Sequence, residues 1–159
     1  VLERKRAIGI AVHVATELDD AWALDEASVA PEIAGYLEGW RRFRMEQSPC
    51  WLLTETRLAS GKRRYAGTLD RCGTLKDSAT IVMIDIKTVD EVGAAVGVQL
   101  AAYAQLAIEE RRLNIGRHLA VQLRPDGTYR IHPFEGRDHL ACFNSLLAVH
   151  HWRAKHGDK

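Results

Sequence analysis

Asp70, Asp85 and Lys87 are the residues whose types and spacing are best suited to chemistry. They lie in YAGTLDRCGTLKDSATIVMIDIKT, Tyr65 to Thr88. This stretch reads as two strands, AGTLDRCGTL and TIVMIDIKT, joined by the turn residues KDSA. If Leu75 faces Thr80 across that turn, the same register puts Asp70 opposite Asp85. Directly opposed residues have Cβ atoms about 5 Å apart. Two carboxylates that close repel each other, and one tends to stay protonated unless a cation lies between them. A divalent cation that prefers hard oxygen ligands, Mg²⁺ or Mn²⁺, removes the conflict. Asp85 and Lys87 then share a strand face with Ile81 and Met83. A slip of one residue would separate the two acids onto opposite faces. The alternative is an ordinary half-solvated hairpin in which Lys87 simply neutralises Asp85. Against it, IVMIDIKT is apolar on both faces up to Asp85, as in a strand buried on both sides. An acid and a lysine seldom enter such a strand without a reason.

Further polar residues lie within reach of this pair. Gln99 and Tyr103 are four apart, so on a helix they stack on one side. They either serve the end of the Lys87 strand or cap a core helix. If Ala59 pairs with Arg64 across ASGKRR, Glu55 faces Thr68 and lies diagonal to Asp70. It then either joins the acids or pairs with Arg57 or Arg71. The net charge is +1, so no global basic field announces a polyanion. Arginines do cluster, at Arg4–Arg6, Arg41–Arg44 and Lys62–Arg64. Guanidinium forks suit phosphate oxygens. These clusters are either solvated faces or phosphate contacts, and Arg41, Arg42 and Arg44 are the first choice for the latter.

The elements that must position these groups follow from periodicity. AIGIAVHVATELDDAW reads as a helix with Ile10, Val14 and Leu18 as its apolar stripe and His13 and Glu17 beside it. SVAPEIAGYLEGWRRFRME reads as a second helix, with Pro31 in its first turn. SPCWLLTETRLA is a strand leading into the hairpin. VGAAVGVQLAAYAQLAIEERRL is an alanine-rich helix with the stripe Leu100, Ala104, Ala107 and Ile108. GRHLAVQLR and TYRIHPF are strands around the turn PDG. GRDHLACFNSLLAVHHWRAK is a closing helix with Leu140, Phe143, Leu147 and His150/His151 in register. The order ααβββαββα predicts an α/β (α+β) domain, a mixed central sheet flanked by helices.

The chain has 159 residues, 47% hydrophobic and 27% charged, which fits one domain over residues 1–159. Cys50, Cys72 and Cys142 are odd in number and widely spaced, with no CxxC pair. That pattern points to a reducing compartment, not to a disulfide framework or a zinc ribbon. No signal peptide is visible, and no apolar run reaches the roughly 18 residues needed to span a bilayer, so no membrane role is expected.

GTLDR, IDIKT and QLAAY, in this order and spacing, resemble the signature of the PD-(D/E)XK nuclease superfamily, in its RecB-like, phage-exonuclease-like branch. GIAVH resembles the histidine segment of that branch's first helix. The motifs cover Gly9 to Tyr103; the remainder fits as architecture, a restriction-endonuclease-like core. The resemblance implies that His13, Asp70, Asp85 and the Ile86 carbonyl hold the cation. It implies that Lys87 sits beside the attacking water, and that Gln99 and Tyr103 hold Lys87 and the DNA backbone. Some relatives carry an extra glutamate near the metal, a place open to Glu55. It further implies a DNA-cleaving phosphodiester hydrolase, an exonuclease of recombination, repair or phage replication in the cytoplasm of a bacterial or phage-infected cell. Relatives act as homo-oligomers or with a helicase or recombination partner. The alternative is a catalytically silent DNA-binding or assembly module. Asp85 stands where many relatives have glutamate. Several members of the branch bind an iron–sulfur cluster through four cysteines, and three cysteines placed elsewhere do not supply one, so no such cluster is expected.

Overall fold

A computed structural model describes residues 2–157. The elements are α1 (Leu2–Asp20), a single 3-10 turn (Glu26–Ser28), α2 (Pro31–Gln47), β1 (Cys50–Ser60), β2 (Tyr65–Thr74), β3 (Ile81–Lys87), α3 (Ala95–Arg111), β4 (Ile115–Leu123), β5 (Tyr129–Pro133) and α4 (His139–His156). The predicted ααβββαββα order is present, with the 3-10 turn as an addition. The five strands form one mixed sheet in the order β1-β2-β3-β4-β5. Only β3 and β4 run parallel, because α3 carries the chain back across the sheet between them.

Helices on both faces explain the composition of β3. On one face Ile84 and Ile86 pack with Val12 of α1 and with Leu37, Trp40 and Phe43 of α2. On the other, Met83, Leu69 and Cys72 pack with Leu100, Ala104 and Ala107 of α3. A strand covered on both sides must be apolar on both sides. Pro31 opens α2 at its first turn, where its missing N–H costs nothing. α4 lies against α3 and reaches the sheet through Phe143, whose ring centroid is 4.8 Å from that of Tyr65. Among the described residues, no helix is long and apolar enough to cross a membrane.

Three local expectations are corrected. The stripe of α1 that faces the core is Ile8, Ala11, Val12 and Ala15. The expected stripe, Ile10, Val14 and Leu18, is exposed at 58%, 50% and 37%. Both sets obey the helical period. The set containing two alanines faces inward because small side chains let the helix approach the sheet. Likewise Ile108, expected inside, is 44% exposed at the end of α3. Finally, the β1–β2 hairpin pairs Ala59 with Ala66, not with Arg64. A four-residue connection closed by Arg64 N–H donating to Ser60 O takes more chain than the tight turn expected. Thr68 therefore faces Arg57, and the register carries Glu55 to the position across from Asp70.

Candidate metal centre

The β2–β3 hairpin has the expected register. Arg71 pairs with Ile84, Cys72 with Met83, Gly73 with Val82 and Thr74 with Ile81. Asp70 and Asp85 lie one step beyond that ladder, where the two strands part. The gap is bridged by a side chain: Ile86 N–H donates to Asp70 Oδ2 at 2.6 Å. Ile86, expected to contribute its carbonyl, fixes the neighbouring acid through its amide.

His13 reaches the same point from α1. Its Nδ1 lies 3.5 Å from Glu55 Oε1 and 3.6 Å from Asp70 Oδ1. One ligand atom from each of His13, Glu55 and Asp70 falls within 4.8 Å of the others. Glu55, undecided from sequence, is therefore a full member of the cluster. Its backbone is left-handed, with φ of 41°, and the β1–β2 ladder lapses at Glu55 and Asp70. Non-glycine residues held there cost on the order of 1–3 kcal/mol, and they concentrate at functional sites.

Asp85 adjoins the cluster and is 2% exposed. Lys87 Nζ stands 2.7 Å from its Oδ2, yet that buried oxygen receives no well-directed hydrogen bond. From Lys87 a relay runs to α3. Lys87 Nζ donates to Gln99 Oε1 at 3.2 Å, and Gln99 Nε2 donates to Tyr103 Oη at 3.1 Å. The relay includes a fourth participant. A Cβ on Gly67 would lie 2.5 Å from Tyr103 Cε1, so the Tyr103 ring rests where only glycine leaves room.

Arg71, named from sequence only as a possible partner of Glu55, does pair with it and is fully buried behind the cluster, where it bonds to three further groups that sequence reasoning missed. Its Nε donates to Asp20 Oδ2 at 2.7 Å. Its Nη1 donates to Glu55 Oε1 and to Asp70 O, both at 2.8 Å. Its Nη2 donates to Thr16 Oγ1 at 3.2 Å, and the guanidinium stands 5.4 Å from the Trp40 ring centroid. The available signal was an arginine inside a strand otherwise bound for the core, a residue type that is buried only when paired.

The charges explain why the cluster suits a cation. Burial pushes the Asp70 carboxyl up to about 7, with Asp85 and Glu55 adding to the rise against His13 and the Ile86 amide. Burial also raises Asp85, against the pull of Lys87. For His13, burial opposes the charged form, but Glu55, Asp70 and Asp85 outweigh it and its pKa is raised. For Glu55, burial works upward and is outweighed by His13 and Arg71, so its pKa is lowered. Buried carboxylates that cannot all ionise, with an imidazole among them, together fit a hard divalent cation.

Arg41, Arg42 and Arg44 are not brought to this centre. Arg41 bonds to Asp19 at 2.6 Å and also to Glu26. Arg44 bonds to Asp19 at 2.5 Å and to Asp20 at 3.1 Å. Arg42 is exposed on the same helix. Asp20 links Arg44 to Arg71, and Asp19 links Arg41 to Arg44, so these two arginines connect to the cluster through that chain of ion pairs.

No family model matches the sequence, and no curated protein sequence matches it. Among solved structures, the fold is similar to that of a protein from Eubacterium rectale that carries the provisional name exonuclease. The TM-score is 0.57 at 11% identity, over 98% of this chain and 68% of that one. At that identity the likeness is one of fold: an α+β core whose mixed sheet is flanked by helices.

Proposed function

We propose that the protein is a Mg²⁺- or Mn²⁺-dependent DNA nuclease of the PD-(D/E)XK type that hydrolyses phosphodiester bonds. The observation that carries this reading is the grouping of His13, Glu55 and Asp70 within 4.8 Å of one another, with Asp85 buried nearby on β3 and ion-paired to Lys87. His13, Asp70, Asp85 and the Ile86 carbonyl, with Glu55, would hold the cation. When bound, it supplies a polarised phosphoryl oxygen and a more acidic water. The protein's own groups do the rest. Lys87 is fastened between Asp85 and Gln99, which sets its ammonium beside the carboxylates. A cation so placed orients an attacking oxygen and offsets charge that develops on the phosphate. Tyr103 Oη accepts from the Gln99 amide, so the Gln99 carbonyl oxygen is turned toward Lys87. Arg71 holds Glu55 and the Asp70 carbonyl from behind.

The finer reading takes residues 1–159 as one nuclease unit acting on DNA ends in recombination, repair or phage replication. On this proposal the protein would work inside a bacterial or phage-infected cell, alone, as a homo-oligomer or beside a helicase. The test is incubation of end-labelled linear DNA and circular DNA with Mg²⁺, Mn²⁺ or EDTA. Loss of linear DNA with circles intact, abolished by EDTA, is expected of an exonuclease. Cut circles would make it an endonuclease. Full DNA binding with neither cut would support a silent DNA-binding module instead.

A further inference from the structure

We infer that the cleft between α3 and α4 receives unpaired nucleobases of the strand whose phosphate lies at the carboxylate cluster, so that single-stranded or frayed DNA ends are the substrate class. The inference rests on the nuclease reading above and extends it to a surface away from the acids.

The cleft has a volume of about 740 Å³, within the range of sites that hold drug-sized ligands. It starts at Gln99 and Tyr103, the far end of the relay from Lys87, so a strand passing the cluster meets it next. Its lining decides what can enter. No lysine or arginine contributes, and Asp138 adds a negative charge. Phosphates are therefore disfavoured, and a neutral, flat, largely apolar group is admitted. Tyr65, Tyr103, Phe143 and His139 supply rings, and Val98 and Leu146 supply aliphatic walls. Tyr65 is fixed by Oη donating to Ala102 O at 2.9 Å and by its contact with Phe143. The rings are thus a preformed platform of the kind on which bases stack without regard to sequence. The His139 ring contributes its edge to this lining and packs on Phe134, with ring centroids 6.0 Å apart. Of the parts of DNA, a base is neutral, flat and apolar on its faces. Inside a duplex those faces and the pairing edge are already occupied, so only an unpaired base fits.

The experiment compares three substrates with the full chain and Mn²⁺: a labelled single strand, the same strand with abasic sites at its labelled end, and a blunt duplex. The natural strand should be cleaved about tenfold or more faster than the abasic one, the scale of one stacked base, and faster than the duplex. Leu146→Glu, on the exposed rim, should move the natural-to-abasic ratio toward one. A 2-aminopurine strand should lose fluorescence on binding Asp85→Asn protein. Equal cleavage of natural and abasic strands would overturn the inference and leave the nuclease reading standing. Cleavage of no substrate would overturn both. A dimer that Leu146→Glu dissociates would give the cleft to a second copy of the chain and likewise overturn it.

Discussion

Replacing Arg71 by methionine tests how the cluster is held. Arg71 makes four hydrogen bonds, to Asp20, Glu55, Asp70 O and Thr16, and its side chain is fully buried. Methionine fills much of the same space, so the cavity component is small. What remains is two carboxylates deprived of a buried partner. Breaking one side of a buried ion pair costs about 3–5 kcal/mol. Asp20 keeps Arg44 at 3.1 Å and Trp40 Nε1 at 3.1 Å, and Glu55 keeps His13 at 3.5 Å, which favours the low end. A loss of about 3 kcal/mol follows, or a Tm lower by roughly 6–12 °C for a chain of this size. Urea and thermal unfolding followed by circular dichroism would measure it. If the stranded Glu55 charge is the cause, Arg71→Met/Glu55→Gln should regain about 1–3 kcal/mol in a double-mutant cycle. A single-variant loss below about 1 kcal/mol, or a cycle with no coupling, would refute the reasoning.

Gly67→Ala should lower cleavage about tenfold by pushing Tyr103 off Gln99, with little change in Tm, and steady-state kinetics beside a melting curve would show it. Gln99→Ala and Tyr103→Phe should cut activity more than stability, and full activity in the double variant would remove the relay from the chemistry. Asp70 is raised to about 7, so the folded state holds its proton more tightly than the unfolded chain, and stability falls as pH rises from about 4 to 7. His13 is also raised, so its contribution is present below about 6.5 and lost above its folded pKa. The metal-free protein should therefore melt lower at pH 8 than at pH 6, and Asp70→Asn should flatten that slope. Mn²⁺ at a hundredfold excess over its Kd should stabilise the wild type by about 2.7 kcal/mol and leave Asp70→Asn unmoved in calorimetry.

Most of the architecture was legible because the elements carry their own periods and turn residues. Pro31 at the head of α2 and the β-branched run of β3 are local signals, and so is the KDSA turn that sets the Asp70–Asp85 register. Two things were not local. Which stripe of α1 faces inward depends on how closely the helix must approach the sheet, and both candidate stripes had the same period. The β1–β2 register depended on a connection of four residues in which Arg64 adopts φ of 54°, a conformation that SGKRR does not announce. That register moved Glu55 from Thr68 to Asp70, which is why its membership could not be decided from spacing. Spacing offered Arg71 as a partner for Glu55 but not its wider role: its four partners come from α1, β1 and its own strand, and their convergence exists only in three dimensions.

The origin of His13 has a consequence for how the molecule assembles. Glu55, Asp70 and Asp85 sit on three consecutive antiparallel strands, which can meet early because their loops are short. His13 rides on a helix 42 residues before Glu55 and joins only when that helix docks. By loop length the cluster is expected to be completed last, by the helix that carries His13. Opening of α1 alone would surrender the cation while the sheet stays intact. Amide exchange in α1 should slow on Mn²⁺ addition by more than exchange in β3, and affinity for the ion becomes a readout of one helix being seated, not of the whole fold.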